Sequence, residues 1–368
     1  MKRSLWVEAE GTAFSPISQT AVDTLFSDAK TLGVSSLYLQ VHRRGYVWYT
    51  SRVADCSLLF QAEMDPLKYT CEKAQQNNIE LHAWINCCNF GVSPSPAALE
   101  RFGQNGFLVD SLGSSLKEYK DWSQSPSPSA AGAILDTPGA WVDPSVGAVR
   151  SYLCSLVEEL GRGYPTLSGV HLDFIRYPYM LPIRPGATVS RGVDLGYGPA
   201  LTAFADQTGY STDISINQGG HAEWKDPTAA LAFDAWRRAQ LSGLVRSFKG
   251  VLPGTMRLSA ATLCWTDRAY LSAFQDWRGW LQDGVLSNAL PMAYTADTHH
   301  FELMLRQALA FATEESTVIP GIGCYKCHDG NAVLRQLDVA ESLGCSEAAL
   351  FSYGTIKTRK ELFDALAN

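Results

Sequence analysis

The sequence predicts a single (β/α)8 barrel, and three observations carry that prediction. Strand-like and helix-like runs alternate from end to end, there are eight of each, and the two longest polar stretches both follow strands. Active sites of such barrels are built at the C-terminal ends of the strands, where those stretches fall.

Residues 5–10 (LWVEAE) are short and alternating, and 18–32 carry apolar residues at helical spacing up to Gly33, a helix stop. Strand 36–42 (SLYLQVH) precedes helix 66–76. Strand 79–86 (IELHAWIN) precedes a Pro/Ser/Gly-rich stretch, 91–143, too polar and broken for core. Helix 145–160 leads to strand 169–175 (GVHLDFI), and a second insertion, 177–226, comes before helix 230–248. Four units follow: strand 257–264 with helix 270–282, 286–294 with 301–313, 318–324 with 332–343, and 349–353 with 359–366. An open doubly wound sheet would begin on a Gly-rich turn for a nucleotide, and after Glu10 there is a single glycine, Gly11. Residues 1–368 therefore read as one barrel whose insertions wall a cleft.

Nearly half of the 368 residues are apolar and 18% are charged, enough for a generous core. A formal net charge of -7 and a pI of about 5.5 argue against nucleic acid as a partner, since phosphate binding needs surplus Lys and Arg. No apolar run is long enough to span a bilayer. Met1 to Ser4 run straight into strand without an export-signal pattern. As it stands the chain reads as cytoplasmic, or as extracytoplasmic if an export signal precedes it. Nine scattered cysteines read mostly as free core thiols. Nothing in the sequence sets the oligomeric state.

Strand side chains alternate, so parity sorts each strand into two sets. Leu5, Val7 and Ala9 oppose Trp6, Glu8 and Glu10; Leu37, Leu39 and Val41 oppose Tyr38, Gln40 and His42. Leu81, Ala83 and Ile85 oppose His82, Trp84 and Asn86; Val170 and Leu172 oppose Gly169, His171 and Asp173. The apolar sets face the helices, leaving the others for the barrel axis and its mouth. Four adjacent strands ending in Glu, His, Asn and Asp need a reason, because buried polar groups are costly unless paired. A polar site at the mouth is one reason, and a satisfied hydrogen-bond network is the other.

Residues 169–178 read GVHLDFIRYP, with Asp173 at a strand end, His171 on its face, and Arg176 and Tyr177 just beyond. This stretch resembles the fourth-strand motif of glycosyl-hydrolase-like family 10, barrel hydrolases that resemble the bacterial enzyme cleaving peptide-free peptidoglycan strands. Segments 5–12 (LWVEAEGT) and 40–51 (QVHRRGYVWYTS), and Asp65-Pro66-Leu67 followed by 82–86 (HAWIN), are similar to earlier family landmarks. Segments 233–238 (FDAWRR), 275–280 (QDWRGW), 291–297 (PMAYTAD) and 351–353 (FSY) are similar to later ones.

The resemblance implies a glycoside hydrolase with a carbohydrate substrate and no cofactor, and it points to Asp173 as nucleophile or base. Glycoside hydrolysis takes two carboxyl groups across the scissile bond. Asp297, in the PMAYTAD segment, and Glu10, with Glu8 as a like-charged neighbour, are the candidate proton donors. Asp267, after the fifth strand, is a third. Trp84, Tyr294 and Tyr353 are candidate platforms for sugar rings. Glu8, Gln40, His42, Arg43, His82, Asn86, His171, Arg176, Tyr177 and Lys326 are candidate hydrogen-bonding groups.

Two other signals compete. Residues 324–328 (CYKCH) spell the c-type haem pattern, but at the end of a barrel strand the match reads as chance. His42, His82 and His171 end three adjacent strands, and with Asp173 or Glu10 they could ligate a metal. A metal-dependent hydrolase on the same barrel is therefore the alternative, although the first strand lacks the H-x-H pair of amidohydrolase barrels. No metal is assigned. A carbohydrate-binding barrel without catalysis is a third reading.

Overall fold

Alternating side chains along short apolar runs give eight strands in the computed structural model. They are β1 (Lys2–Val7), β2 (Val34–Arg43), β3 (Glu80–Asn86), β4 (Gly169–Asp173), β5 (Arg257–Leu263), β6 (Asn288–Met292), β7 (Thr317–Val318 with Gly321–Gly323) and β8 (Glu347–Phe351). Each pairs in parallel with its neighbours, and β1 pairs with both β2 and β8, so the sheet closes without a free edge. The chain is a (β/α)8 barrel. The structure describes residues 1–10, 13–60, 62, 64–113, 139–179, 194–216 and 222–368.

β7 is split at Ile319-Pro320, because proline has no N–H for the ladder. Pro320 O still accepts from Ala349 N (2.9 Å), and Ile319 N donates to Ala289 O (2.9 Å). Helices begin where a side-chain oxygen accepts from the first turn. Ser18 does so before Gln19–Thr31, Asp65 before Pro66–Asn77, Asp226 before Pro227–Val251 and Asp329 before Gly330–Ser342. Gly147–Gly163, Thr298–Leu309 and Lys360–Ala367 also flank the barrel.

The helix expected at 270–282 is two, Thr266–Ser272 and Trp277–Gln282. Phe274 sits between them with φ 53°. The turn feeds Gln275 back into the barrel wall. Its Oε1 accepts from Leu263 N (2.8 Å) and its Nε2 donates to Ala261 O (3.2 Å) and Ile175 O (3.3 Å). Trp277 Nε1 donates to Leu263 O (3.0 Å). The QDWRGW segment thus ties the ends of β4 and β5 to the helix layer.

Two apolar compartments follow from the alternation. The outer one holds Leu5, Val7, Leu37, Leu39, Leu81, Ala83, Val170 and Leu172 against the helices, as parity predicts. The inner one holds Trp6, Tyr38, Trp84, Leu290, Ile319 and Ala349 on the axis. A third, smaller cluster lies under the second insertion, where helix Pro199–Thr208 and the hairpin Ile214–Ile216/Ala222–Trp224 meet Phe233 and Trp236. Arg237 fixes that insertion: it pairs with Asp194 (2.7 Å) and Asp234 (2.5 Å) and donates to Leu195 O.

In the first insertion, Asn89–Gly91 pairs antiparallel with Ala140–Trp141. Residues 114–138 of the first insertion, 180–193 and 217–221 of the second, and Gly11 and Thr12 lie outside the described residues. All nine cysteines are free and seven are buried, Cys324 and Cys327 of the CYKCH segment among them. No helix among the described residues is long and apolar enough to cross a membrane.

Trp6 is 2% exposed and fills the barrel axis. Trp6→Ala is expected to cost about 3–5 kcal/mol, measured as a lower urea midpoint. Leu231→Ala, at a side chain 71% exposed, stays within about 0.5 kcal/mol.

Candidate active site

The barrel axis is filled by packed rings, and Trp6 and His171 are hydrogen-bonded to each other. Trp6 Nε1 donates to His171 Nε2 (3.0 Å), and His171 Nδ1 meets Ser259 Oγ (2.9 Å). Tyr38 packs against both His171 (4.6 Å between ring centres) and His82 (4.8 Å). Burial pushes the His171 ring well below its usual 6.5, so it stays neutral. His82 lies lower in the barrel, 3.4 Å from Arg257 and 3.7 Å from Glu80, and burial also lowers it. Both histidines are inside, as parity predicts, but they support the mouth from below and do not line it.

Above these rings opens a cleft of about 480 Å³. Its floor and walls include Trp6, Glu8, Gln40, Trp84, Asn86 and Asp173 from the first four strands. Arg43, Arg44, Asn89, Phe174, Arg176, Tyr179, Met292, Tyr294 and Phe351 also line it. Gln40 Nε2 (3.1 Å) and Trp84 Nε1 (3.0 Å) both donate to Asn86 Oδ1, and Gln40 Oε1 accepts from Ala9 N (3.3 Å). That network fixes the ends of β1, β2 and β3 relative to one another.

Among the described residues, two carboxylates line the cleft. Glu8 accepts from Ser352 Oγ (2.7 Å). Asp173 is partly open to the cleft, and its Oδ1 accepts from Phe174 N (2.7 Å). Phe174 has φ 50°, an uncommon conformation for a non-glycine residue. Burial lifts the Asp173 carboxyl from 3.8 to about 6, overriding the Phe174 N–H, Arg176, Trp84 and Arg43, all of which favour the charged form. The Arg176 guanidinium lies over Trp141 (5.1 Å), Phe174 (5.0 Å) and Tyr179 (4.5 Å), so the first insertion closes onto the segment after β4.

Other expected residues lie elsewhere. β1 runs over Lys2–Val7 and not 5–10, so Glu8 stands at the rim and Glu10 is past it. Glu10 is held by Arg43 (3.6 Å) and Arg44 and does not line the cleft. Asp297 is exposed and caps the helix Thr298–Leu309, its Oδ1 accepting from His300 N (2.9 Å), a bond that lowers its pKa. Asp267 is exposed in the first turn of Thr266–Ser272, 3.7 Å from Arg268. Tyr353 opens a short helix and donates to Asp28 (2.7 Å), facing away from the cleft. Tyr177 is buried against Phe274 (5.1 Å).

His42 does not face the cleft, and an irregularity in β2 is the cause. A bulge in β2 pairs Gln40 with Trp84 but His42 with Ile85, which reverses the alternation there. The ring turns outward to Tyr152 OH (3.2 Å) and Asn86 O (2.9 Å), and burial lowers its pKa to about 4. The three histidines therefore do not converge. Among the described residues, no group of three or more His, Cys, Asp or Glu side chains could hold a metal.

Phe351 was not among the expected platforms. It is stacked on Tyr294 (5.4 Å, 25°) and stands 6.0 Å from Trp6, and its parity with Ala349 on β8 marks it as inward. A second cavity of about 350 Å³ continues the cleft past Tyr179, Met292 and Tyr294, and Lys326 lies on its wall.

The lifted Asp173 has a consequence for stability. The folded state holds that proton more tightly than the unfolded chain, so stability falls as pH rises from about 4 through about 6. Asp173→Asn removes the loss. The variant is expected to be more stable than wild type by about 1–3 kcal/mol at pH 7.5, with the gap closing below pH 4, read from paired urea titrations.

Comparison with known proteins places this geometry in a family. The glycosyl hydrolase-like 10 model matches residues 2–325. Glycosyl hydrolase DigH of Escherichia coli strain K12 is 22% identical over 295 residues, covering 77% of this chain and 60% of DigH. Glycosyl hydrolase YngK of Bacillus subtilis strain 168 is 20% identical over 313 residues, 78% of this chain and 51% of YngK. The chain thus spans only about half to three-fifths of those relatives' length. Among solved structures, the catalytic domain of β-amylase from Paenibacillus polymyxa superposes with a TM-score of 0.60 at 12% identity, covering 98% of this chain and 94% of that one. Alpha-L-fucosidase isoenzyme 2 from Paenibacillus thiaminolyticus gives 0.58 at 12% identity, over 100% of this chain and 48% of that one. These likenesses show the barrel, and the family model shows the kinship: the chain belongs to the glycosyl hydrolase-like 10 family.

Proposed function

We propose that this protein hydrolyses glycosidic bonds in an oligosaccharide or polysaccharide, with Asp173 as the proton donor and Glu8 as the second carboxylate. The observation that carries the reading is Asp173 itself. It is a carboxyl at the end of β4, on the wall of an aromatic cleft, lifted by burial to about 6. A proton donor must hold its proton near the working pH, and this environment favours that. The role of nucleophile or base, expected for Asp173 from the sequence, passes to Glu8, the other carboxylate on the cleft. This reading does not use Asp297 or Glu10 as the donor: Asp297 caps a helix, and Glu10 is paired with two guanidinium groups.

A sugar ring fits between Trp84, Tyr294 and Phe351, whose faces bury its apolar side while Arg43 and Arg176 meet its hydroxyls. Peptide-free peptidoglycan strands are the first substrate to test, on the strength of the family.

Sugar release from a glycan panel that includes such strands tests the reaction. Asp173→Asn and Glu8→Gln are each expected to lower kcat by about 10²–10⁴, while Asp297→Asn stays within about twofold. For a donor, kcat/KM falls as pH rises past about 6, because the proton is lost. Wild-type rates in the Asp173→Asn variant would overturn the assignment.

Phe351→Ala is expected to raise KM about tenfold and to leave the folded fraction intact by circular dichroism, since its ring is part of the open wall.

A further inference from the structure

The cleft changes character along its length. The half over β1 to β4 contains both carboxylates. The half beyond Tyr294 contains none among the described residues: its ionisable wall there is tyrosine, Cys264, His300 and Lys326. In a chain of net charge -7 that is a local reversal. Lys326 is exposed and lies 5.1 Å from the ring centre of Tyr325. No carboxylate pairs with it among the described residues. The same cavity is lined by Trp265, tilted against His300 at 5.8 Å. Asp297, on the helix that carries His300, is turned to cap that helix and does not line the cavity.

We propose that this second cavity is a subsite for a sugar that carries a carboxylate. The carboxylate binds the Lys326 ammonium, with the ring beside Trp265 and Tyr325. A charge-assisted bond of this kind is stronger than a neutral one where no other anion competes for the cation. The inference rests on the proposed function, because it places the acidic sugar next to the one being cleaved. Two sources supply the chemistry: a hexuronic acid, or the lactyl ether of a muramic acid freed of its peptide.

Binding by calorimetry separates the possibilities and needs no turnover. The probes are a peptide-free peptidoglycan disaccharide and a hexuronic-acid disaccharide, each alongside its carboxyl-reduced alcohol. Wild type is expected to bind the acid of at least one pair about tenfold more tightly than the alcohol, and that pair identifies the source. Lys326→Met should level the pair, and Lys326→Arg should keep the preference. If wild type shows no preference in either pair, binds none of the probes, or keeps its preference as Lys326→Met, the subsite is overturned. Cleavage of neutral glycans alongside such a result would leave the hydrolase reading intact. Selective binding without cleavage of any glycan would leave the subsite standing and remove the reaction.

Discussion

The hydrogen bond from the Trp6 indole to His171 bears on everything above it. A barrel axis filled with branched apolar chains makes an inert floor, whereas this one is filled with rings that carry polar atoms. Those atoms are shut away from water, and a buried polar atom is costly unless it finds a partner. His171 accepts from Trp6 at Nε2 and meets Ser259 at Nδ1, an arrangement only the neutral ring with its proton on Nδ1 can satisfy. The same Trp6 ring is the floor of the cleft. The surface on which a ligand rests is thus one side of a bond whose other side is buried core.

How far the sequence foretold this depends on how far a period of two persists. On β1, β3 and β4 it holds, and Trp6, Glu8, Trp84, Asn86, His171 and Asp173 all fall inside. On β2 a single extra residue resets the period after Gln40, and nothing in residues 36–43 marks a bulge. His42 was therefore unreadable. Other misplacements had visible signals. Asp297 precedes a run of helical spacing and is a preferred capping residue, which is the role it takes. Tyr353 follows β8 directly and begins a helix, so strand parity stops applying to it. Phe351 was legible from Ala349 two residues before it, since both point inward.

The segments that carry the family likeness divide into chemistry and carpentry. GVHLDFIRYP supplies Asp173 and Arg176 to the cleft. QDWRGW supplies none of the wall, and its Gln275 and Trp277 instead satisfy the backbone at the top of β4 and β5. Segment similarity alone does not distinguish the two, because a glutamine that completes a strand end and one that grips a sugar look alike in a sequence. Only the partners tell them apart.

Arg237 offers a different lesson. The residue is 2% exposed, its guanidinium clasped by Asp194 and Asp234 and lying 4.4 Å from the centre of the Phe274 ring. Asp234 and Phe274 belong to the barrel's own shell, while Asp194 and the Leu195 carbonyl arrive with the second insertion. The joint is modular. A replacement loop that presents one carboxylate and one carbonyl at that point inherits a finished socket, and the barrel strands stay as they were. Loop grafting at this socket is accordingly a route to new cleft walls on an unaltered barrel.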